Sequence, residues 1–321
     1  MSPPFDAFAD FTKSRIITFV IGPGATEFYL HADAISRLSK PLQALINGGM
    51  REAKEGRVVW DDLDDETFVR FTQWAYTNDY KTPEPDVQHE IAPPSTQVDP
   101  VTDLSSQTEK ALYCVMHKTD TARCHKCSGI PGYGATILGN GDHNCVKCKR
   151  PFQTFRCHEC YQSIKLAACL DCRARKSKTA ALIRAFADSG HWSGARTLPT
   201  FHPRQNKKAS EDYTNVFLSH AKLYVLADKY DIADLGKESL HRLHLALQSF
   251  AVYESRMVDI LCLVQFVFDN TQDTDRLRSM LVLYCACLGE DLARCPEFQS
   301  VMQTAPDFGQ ALVLKLAEQF D

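Results

Sequence analysis

Hydrophobic positions fall into short extended runs at the front of the chain and long helical stripes at its back. Arg15–Gly22, RIITFVIG, is rich in β-branched residues and ends in a Pro-Gly turn. TEFYLHA (Thr26–Ala32) follows, and the two runs predict a hairpin. Next, DAISRLSKPLQALINGG predicts two short helices broken near Lys40-Pro41, with Gly48-Gly49 closing the second. RVVW (Arg57–Trp60) predicts a third strand. DDETFVRFTQWAYT (Asp64–Thr77) predicts a helix with Phe68, Phe71, Trp74 and Ala75 on one stripe. The helical pattern resumes at Tyr213–Lys229, with Val216, Phe217, His220, Ala221, Tyr224 and Val225 at helix spacing. It continues through Ile232–Leu247, and residues 254–321 predict three or four further helices.

The stretch between these blocks has a different texture. Residues 81–108 are rich in Pro, Thr, Ser, Asp and Gln, too poor in large apolar side chains to fold alone, and predict a solvated linker. Ser106-x-x-Glu109 has capping-box spacing and predicts a short helix towards His117. A cysteine cluster follows, then a helix over TAALIRAFADSG, then a second polar linker. The domain reading is 11–80, linker 81–108, an inserted module 109–190, linker 191–212, a helical unit 213–247 and a helical region 248–321.

Composition narrows the classes. The chain has 321 residues, 44% hydrophobic and 24% charged, with a net charge of −4, so it is no polycation. No apolar run approaches the roughly 18 residues of a membrane span. MSPPFDAFADF lacks the basic and apolar regions of a signal peptide. Cytosol or nucleus is the expected location, with no membrane. There, thirteen cysteines should stay reduced, and paired cysteines point to metal rather than disulfides. Cys114 and the last four, Cys262, Cys285, Cys287 and Cys295, stand outside any Cys-x-x-Cys pair. Those four lie in apolar helical sequence and are expected to be buried as small hydrophobes.

The other eight form the pattern Cys124-x2-Cys127-x17-Cys145-x2-Cys148-x8-Cys157-x2-Cys160-x8-Cys169-x2-Cys172. Two residues between ligands let one tight turn aim both sulfurs at a single ion. Eight thiolates supply two closed tetrahedra, the natural home of two structural Zn²⁺ ions, with no position left open for a catalytic water. The segment has few large aliphatics, so metal binding would supply its folding free energy. Three pairings are open. The longer gap from Cys148 to Cys169 favours Cys145/Cys148 with Cys169/Cys172, and Cys124/Cys127 with Cys157/Cys160. The sequential pairing is the next choice, because its first half has familiar zinc spacing. A RING ubiquitin ligase also interleaves eight ligands, but its second and third pairs nearly abut, so the likeness is one of topology.

The two blocks flanking the insertion resemble the halves of one BTB/POZ domain, most nearly of the fungal type. His31, Leu38, Ser39, Glu52-Ala53, Val58–Trp60 and Trp74-Ala75-Tyr76-Thr77 carry the resemblance in front. Ala221, Tyr224, Leu226, Ala227 and Tyr230 carry it behind. Arg15 stands where many members have an acidic residue. The resemblance implies an α+β BTB/POZ fold, a short three-stranded sheet capped by helices. The zinc module would be inserted into it and a helical extension would follow. It also implies protein partners and self-association through that domain. Met50-Arg51-Glu52 resembles the motif with which BTB adaptors grip a cullin: Met50 would enter an apolar pocket and Glu52 would fix the loop.

No phosphate-cradling glycine loop, H-E-x-x-H or nucleophile elbow occurs, so the expectation is a non-enzymatic protein. The acidic run Asp61–Glu66 reads as a solvated loop and helix N-cap. From Lys118 to Lys178 twelve Lys/Arg face four Asp/Glu. That surplus raises nucleic acid as a lesser partner, although the thiolate sites themselves offset half of it. The alternative function is therefore a nuclear regulator contacting DNA through the zinc module.

Overall fold

The computed structural model describes residues 10–87 and 201–318, and between them strands at 113–114, 137–144, 151–156 and 163–164 and a helix at 178–189. The protein is mixed α+β and mostly helical, with a small three-stranded sheet at its front.

Strands β1 (Ile16–Ile21) and β2 (Thr26–His31) form the expected antiparallel hairpin, with Thr18 opposite Tyr29 and Ile21 opposite Thr26. Gly22 and Ala25 take left-handed φ values of 65° and 51° in the turn. Helices α1 (Ala32–Ser36) and α2 (Lys40–Asn47) follow, split where Pro41 was expected to split them. Ser39 caps α2 by accepting from the Leu42 N–H at 3.2 Å. Helix α3 (Arg51–Glu55) is one short turn that the hydrophobic pattern did not mark; Gly56 closes it in a left-handed conformation. Strand β3 (Arg57–Trp60) then lies parallel to β1, with Val58 opposite Phe19. Helix α4 (Asp65–Thr77) buries Phe68, Phe71, Trp74 and Ala75, the stripe read from the sequence.

These elements enclose a first core of Ile17, Phe19, Ile21, Trp60, Phe68 and Phe71. Helix α6 (Thr214–Lys229), the next after α5 (Lys178–Ser189), completes it, giving Leu223, Leu226 and Ala227 to this core and Val216, Phe217 and Ala221 to a second. A helix apolar on more than one face is suited to sit between two cores. Helix α7 (Ala233–Ser249) also serves both. The second core is completed by α8 (Met257–Asn270), α9 (Arg276–Cys287), the single turn α10 (Gly289–Leu292), α11 (Pro296–Thr304) and α12 (Pro306–Ala317).

Between Val87 and Glu211 the chain departs and returns side by side. Strands β4 (Asp86–Val87) and β9 (Glu211–Asp212) pair antiparallel. Glu211 is buried and accepts from the Lys207 and Lys208 N–H groups. Asn206 is buried too, donating to the Ala251 carbonyl and accepting the Ala251 N–H, each at 2.7 Å. The described part of the second polar stretch is therefore fastened to the helical core rather than wholly solvated.

Strand β5 (Tyr113–Cys114) pairs antiparallel with β10 (Ala251–Val252), which follows α7. A helix was expected to run through Tyr113 and Cys114. The backbone partner offered by Ala251–Val252, far away in sequence, overrides that local signal. Helix α5 (Lys178–Ser189) falls inside the span 109–190, yet its Leu182, Ile183 and Phe186 belong to the second core. Phe186 lies 4.6 Å from the His244 ring and 5.1 Å from Tyr284, centroid to centroid. Cys285, Cys287 and Cys295 are buried as expected, whereas Cys262 is exposed, because its position on α8 faces away from the core.

Candidate partner-binding surface and metal centre

Met50 stands at the N-cap of α3, just beyond Gly48-Gly49. Glycine is required at position 48, since an added Cβ would lie 2.2 Å from the Ala44 carbonyl oxygen. The turn throws the Met50 side chain outward, where 63% of it is exposed, while Ala53 one turn later is buried. Glu52 is half-buried in the first turn of α3, where a carboxylate suits the exposed N–H groups. Its carboxylate makes no hydrogen bond or ion pair among the described residues. Arg15 holds this loop instead: its guanidinium donates to the Ala53 carbonyl at 3.1 Å and to the Ile46 carbonyl. That role could have been suspected from a long cation placed just before β1, but its acceptors are set by tertiary contact.

A groove of about 590 Å³ opens beside α3, with Leu45, Glu52, Glu55, Val59, Asp61 and Tyr230 along its walls. Val59 points out of edge strand β3 and is 58% exposed. Tyr230 stacks on Trp60 at 4.6 Å, so the rear wall is rigidly backed by the first core. Burial and the nearby Asp62 carboxylate push the Tyr230 hydroxyl up to about 12, so it stays protonated.

The acidic run is structural, as read. Asp64 caps α4, accepting from the Thr67 N–H at 2.9 Å, and pairs with Lys222 of α6 at 2.9 Å. Burial works against its charge, but Lys222 and Thr67 win and hold the carboxyl below its ordinary value. Asp62 pairs with Lys229 at 2.6 Å. These bonds clamp the β3–α4 loop onto α6.

Two buried polar sites were not singled out from the sequence. Tyr80 and His220 meet at 2.7 Å, and Arg242 reaches Glu238 at 2.7 Å, the Tyr80 carbonyl at 2.6 Å and Asp79 at 2.5 Å. Burial, with Arg242 and Arg70 nearby, lowers His220 to about 3, so the ring is neutral and its role is a joint between the two halves of the chain. Asp259, fully buried, accepts the Tyr213 N–H at 2.8 Å. Burial pushes its carboxyl up to about 7 against the pull of that N–H and of Arg256.

Cys124, Cys127, Cys145, Cys148, Cys157, Cys160, Cys169 and Cys172 all lie outside the described residues. Among the described residues no group of three or more His, Cys, Asp or Glu is placed to hold a metal ion, and no helix is long and apolar enough to cross a membrane. The frame between the cysteines is described. Strands β6 (Ile137–Asn144), β7 (Pro151–Arg156) and β8 (Ser163–Ile164) form an antiparallel sheet in that order. Ile137 lies opposite Phe155, Asn144 opposite Pro151, and Arg156 opposite Ser163. The Cys145/Cys148 and Cys157/Cys160 pairs thus fall in the two connections of one small sheet.

No family model, no curated protein and no solved structure matches the chain.

Proposed function

We propose that this chain is a non-enzymatic interaction protein. A BTB/POZ platform serves as substrate adaptor for a cullin-RING ubiquitin ligase, and a structural two-zinc module held in its loop forms a second recognition surface. The observation that carries the adaptor reading is Met50. A glycine turn and a buried Ala53 present this flexible apolar side chain to solvent, next to Glu52 and a groove bordered by exposed Val59. An apolar patch rimmed by carboxylates is suited to covering by a protein partner.

The zinc reading is supported by four Cys-x-x-Cys pairs within 49 residues and by the small sheet that separates them. Zinc held by these thiolates would supply folding free energy to a segment with little apolar core. A pull-down with a cullin tests the adaptor. The wild-type chain should retain it, and a Met50→Ala, Glu52→Ala variant with unchanged circular dichroism should lose most of the recovery. Equal recovery removes this reading.

The basic surplus between Lys118 and Lys178 supports a second reading, a nuclear regulator that contacts DNA through the zinc module. A titration showing no DNA binding at low salt removes that one.

A further inference from the structure

We propose that the free edge of strand β3 and the groove beside it take an extended peptide segment with an apolar centre and basic ends, added as a fourth strand to the front sheet. The inference goes beyond the adaptor reading. It works through the backbone of β3 and stands whether or not a cullin binds.

Strand β3 borders only β1 in the order β2–β1–β3. The Thr18 N–H donates to the Gly56 carbonyl and the Gly22 N–H to the Trp60 carbonyl, each at 2.9 Å. Successive strand residues turn their backbone groups to opposite neighbours, so Gly56, Val58 and Trp60 face β1 while Arg57 and Val59 face away from it. Among the described residues no hydrogen bond reaches the N–H or the carbonyl of Val59. Such unpaired groups are a template for another strand, and edges are commonly blunted by Pro, Lys or a bulge. Strand β3 reads RVVW and keeps unbroken register with β1 from Arg57 to Trp60, so it has none of these.

The edge also has room beside it. The groove of about 590 Å³ is lined by Val58, Val59, Trp60 and Asp61 on the strand side and faced by Leu45 and Glu52. An added strand would lie about 4.8 Å from β3. The stacked Trp60 and Tyr230 rings hold this wall in place before anything binds, which lowers the ordering cost of docking. Main-chain bonds to Arg57 and Val59 would give the affinity, and side chains of the incoming strand the choice of partner.

Charge selects the occupant. Each cation on the groove walls is already matched: Arg51 with Glu55 at 3.7 Å, Arg57 with Glu27 at 2.7 Å and Lys229 with Asp62 at 2.6 Å. Glu52 and Asp61 have no cation. The Glu52 carbonyl accepts the Gly56 N–H, which places Glu52 near the start of β3, and Asp61 directly follows its end. The two uncompensated carboxylates thus bracket the edge, and exposed Val59 lies between them. A second copy of this chain would bring the same two carboxylates to the edge again. A segment with cations at both ends and an apolar residue between them matches the charge instead.

The test uses the purified full chain and a fluorescein-labelled peptide, Lys-Lys-Val-Thr-Val-Lys-Lys, followed by fluorescence anisotropy. Saturable binding is expected. The same peptide N-methylated at its three central residues should bind at least about tenfold more weakly, because it cannot donate to the edge. A peptide with Glu in place of every Lys should weaken similarly. Val59→Pro should also lose binding while leaving the fold intact, since the Val59 N–H makes no internal bond and proline is tolerated on edge strands. Should that variant misfold, the methylated peptide on the wild-type chain decides. Equal binding of the basic and methylated peptides, or no saturable binding, overturns the proposal. So does a wild-type dimer in sedimentation that Val59→Pro converts to monomer, because the edge is then covered by a second copy. No cullin is present, so failure here leaves the adaptor reading standing, and failure of the cullin pull-down leaves this one standing.

Discussion

The Tyr80 hydroxyl meets the Nδ1 atom of His220 at 2.7 Å in the interior, joining residues 140 positions apart. Tyr80 ends the front block and His220 sits on the helix that both cores share. The bond therefore ties the front block to the helices that follow residue 213, and Arg242 braces it from α7 by reaching the Tyr80 carbonyl. Replacing Tyr80 with Phe removes the hydroxyl and leaves a buried ring nitrogen unpaired. The expected loss is about 1–3 kcal/mol of unfolding free energy, read by urea denaturation. Arg242→Met should cost more, about 3–5 kcal/mol, because it strands the buried Glu238 carboxylate.

His220 and Asp259 should give opposite pH slopes. Burial lowers His220 to about 3, so between that value and about 6.5 the unfolded chain binds more protons there, and this contribution to stability falls as pH drops. Burial raises Asp259 to about 7, so between about 4 and 7 the folded chain holds more protons there, and its contribution falls as pH rises. The two slopes offset each other in the wild type. In Asp259→Asn only the histidine slope is left. Stability measured by denaturant titration from pH 4.5 to 6.5 should therefore rise more steeply with pH in the variant, by about one proton.

Gly48→Ala should destabilise the chain by about 1–3 kcal/mol, since its methyl group would press on the Ala44 carbonyl at the end of α2. The same change should displace Met50, which follows two residues later. Thermal unfolding measures the first effect, and cullin recovery in the pull-down measures the second.

Phe186→Ala should cost about 3–5 kcal/mol, the penalty of a fully buried aromatic deleted from a core. The informative readout is where the damage falls. Hydrogen exchange should accelerate in α7 and α9, which carry His244 and Tyr284, and not only in the insertion. A change confined to residues 109–190 would show that α5 belongs with the insertion rather than with the helical core.

The local elements were largely legible in the chain itself. The β-branched run Ile16–Ile21, the Pro-Gly turn after it and the short run Thr26–His31 specified a hairpin, Pro41 specified the break between α1 and α2, and the Phe68, Phe71, Trp74, Ala75 stripe specified the buried face of α4. The Met50 and Glu52 positions and the eight paired cysteines were equally visible, because residue identity and spacing are properties of the chain. Tertiary structure decided the rest. It turned Tyr113–Cys114 into a strand by supplying Ala251–Val252, set β3 parallel to β1, assigned Arg15 its two carbonyl acceptors, and drew α5 into a core built mostly from residues beyond 213. Periodicity reports which face of a segment is apolar, whereas the partner that covers it or completes its backbone bonds is chosen among groups from some thirty to well over a hundred residues away.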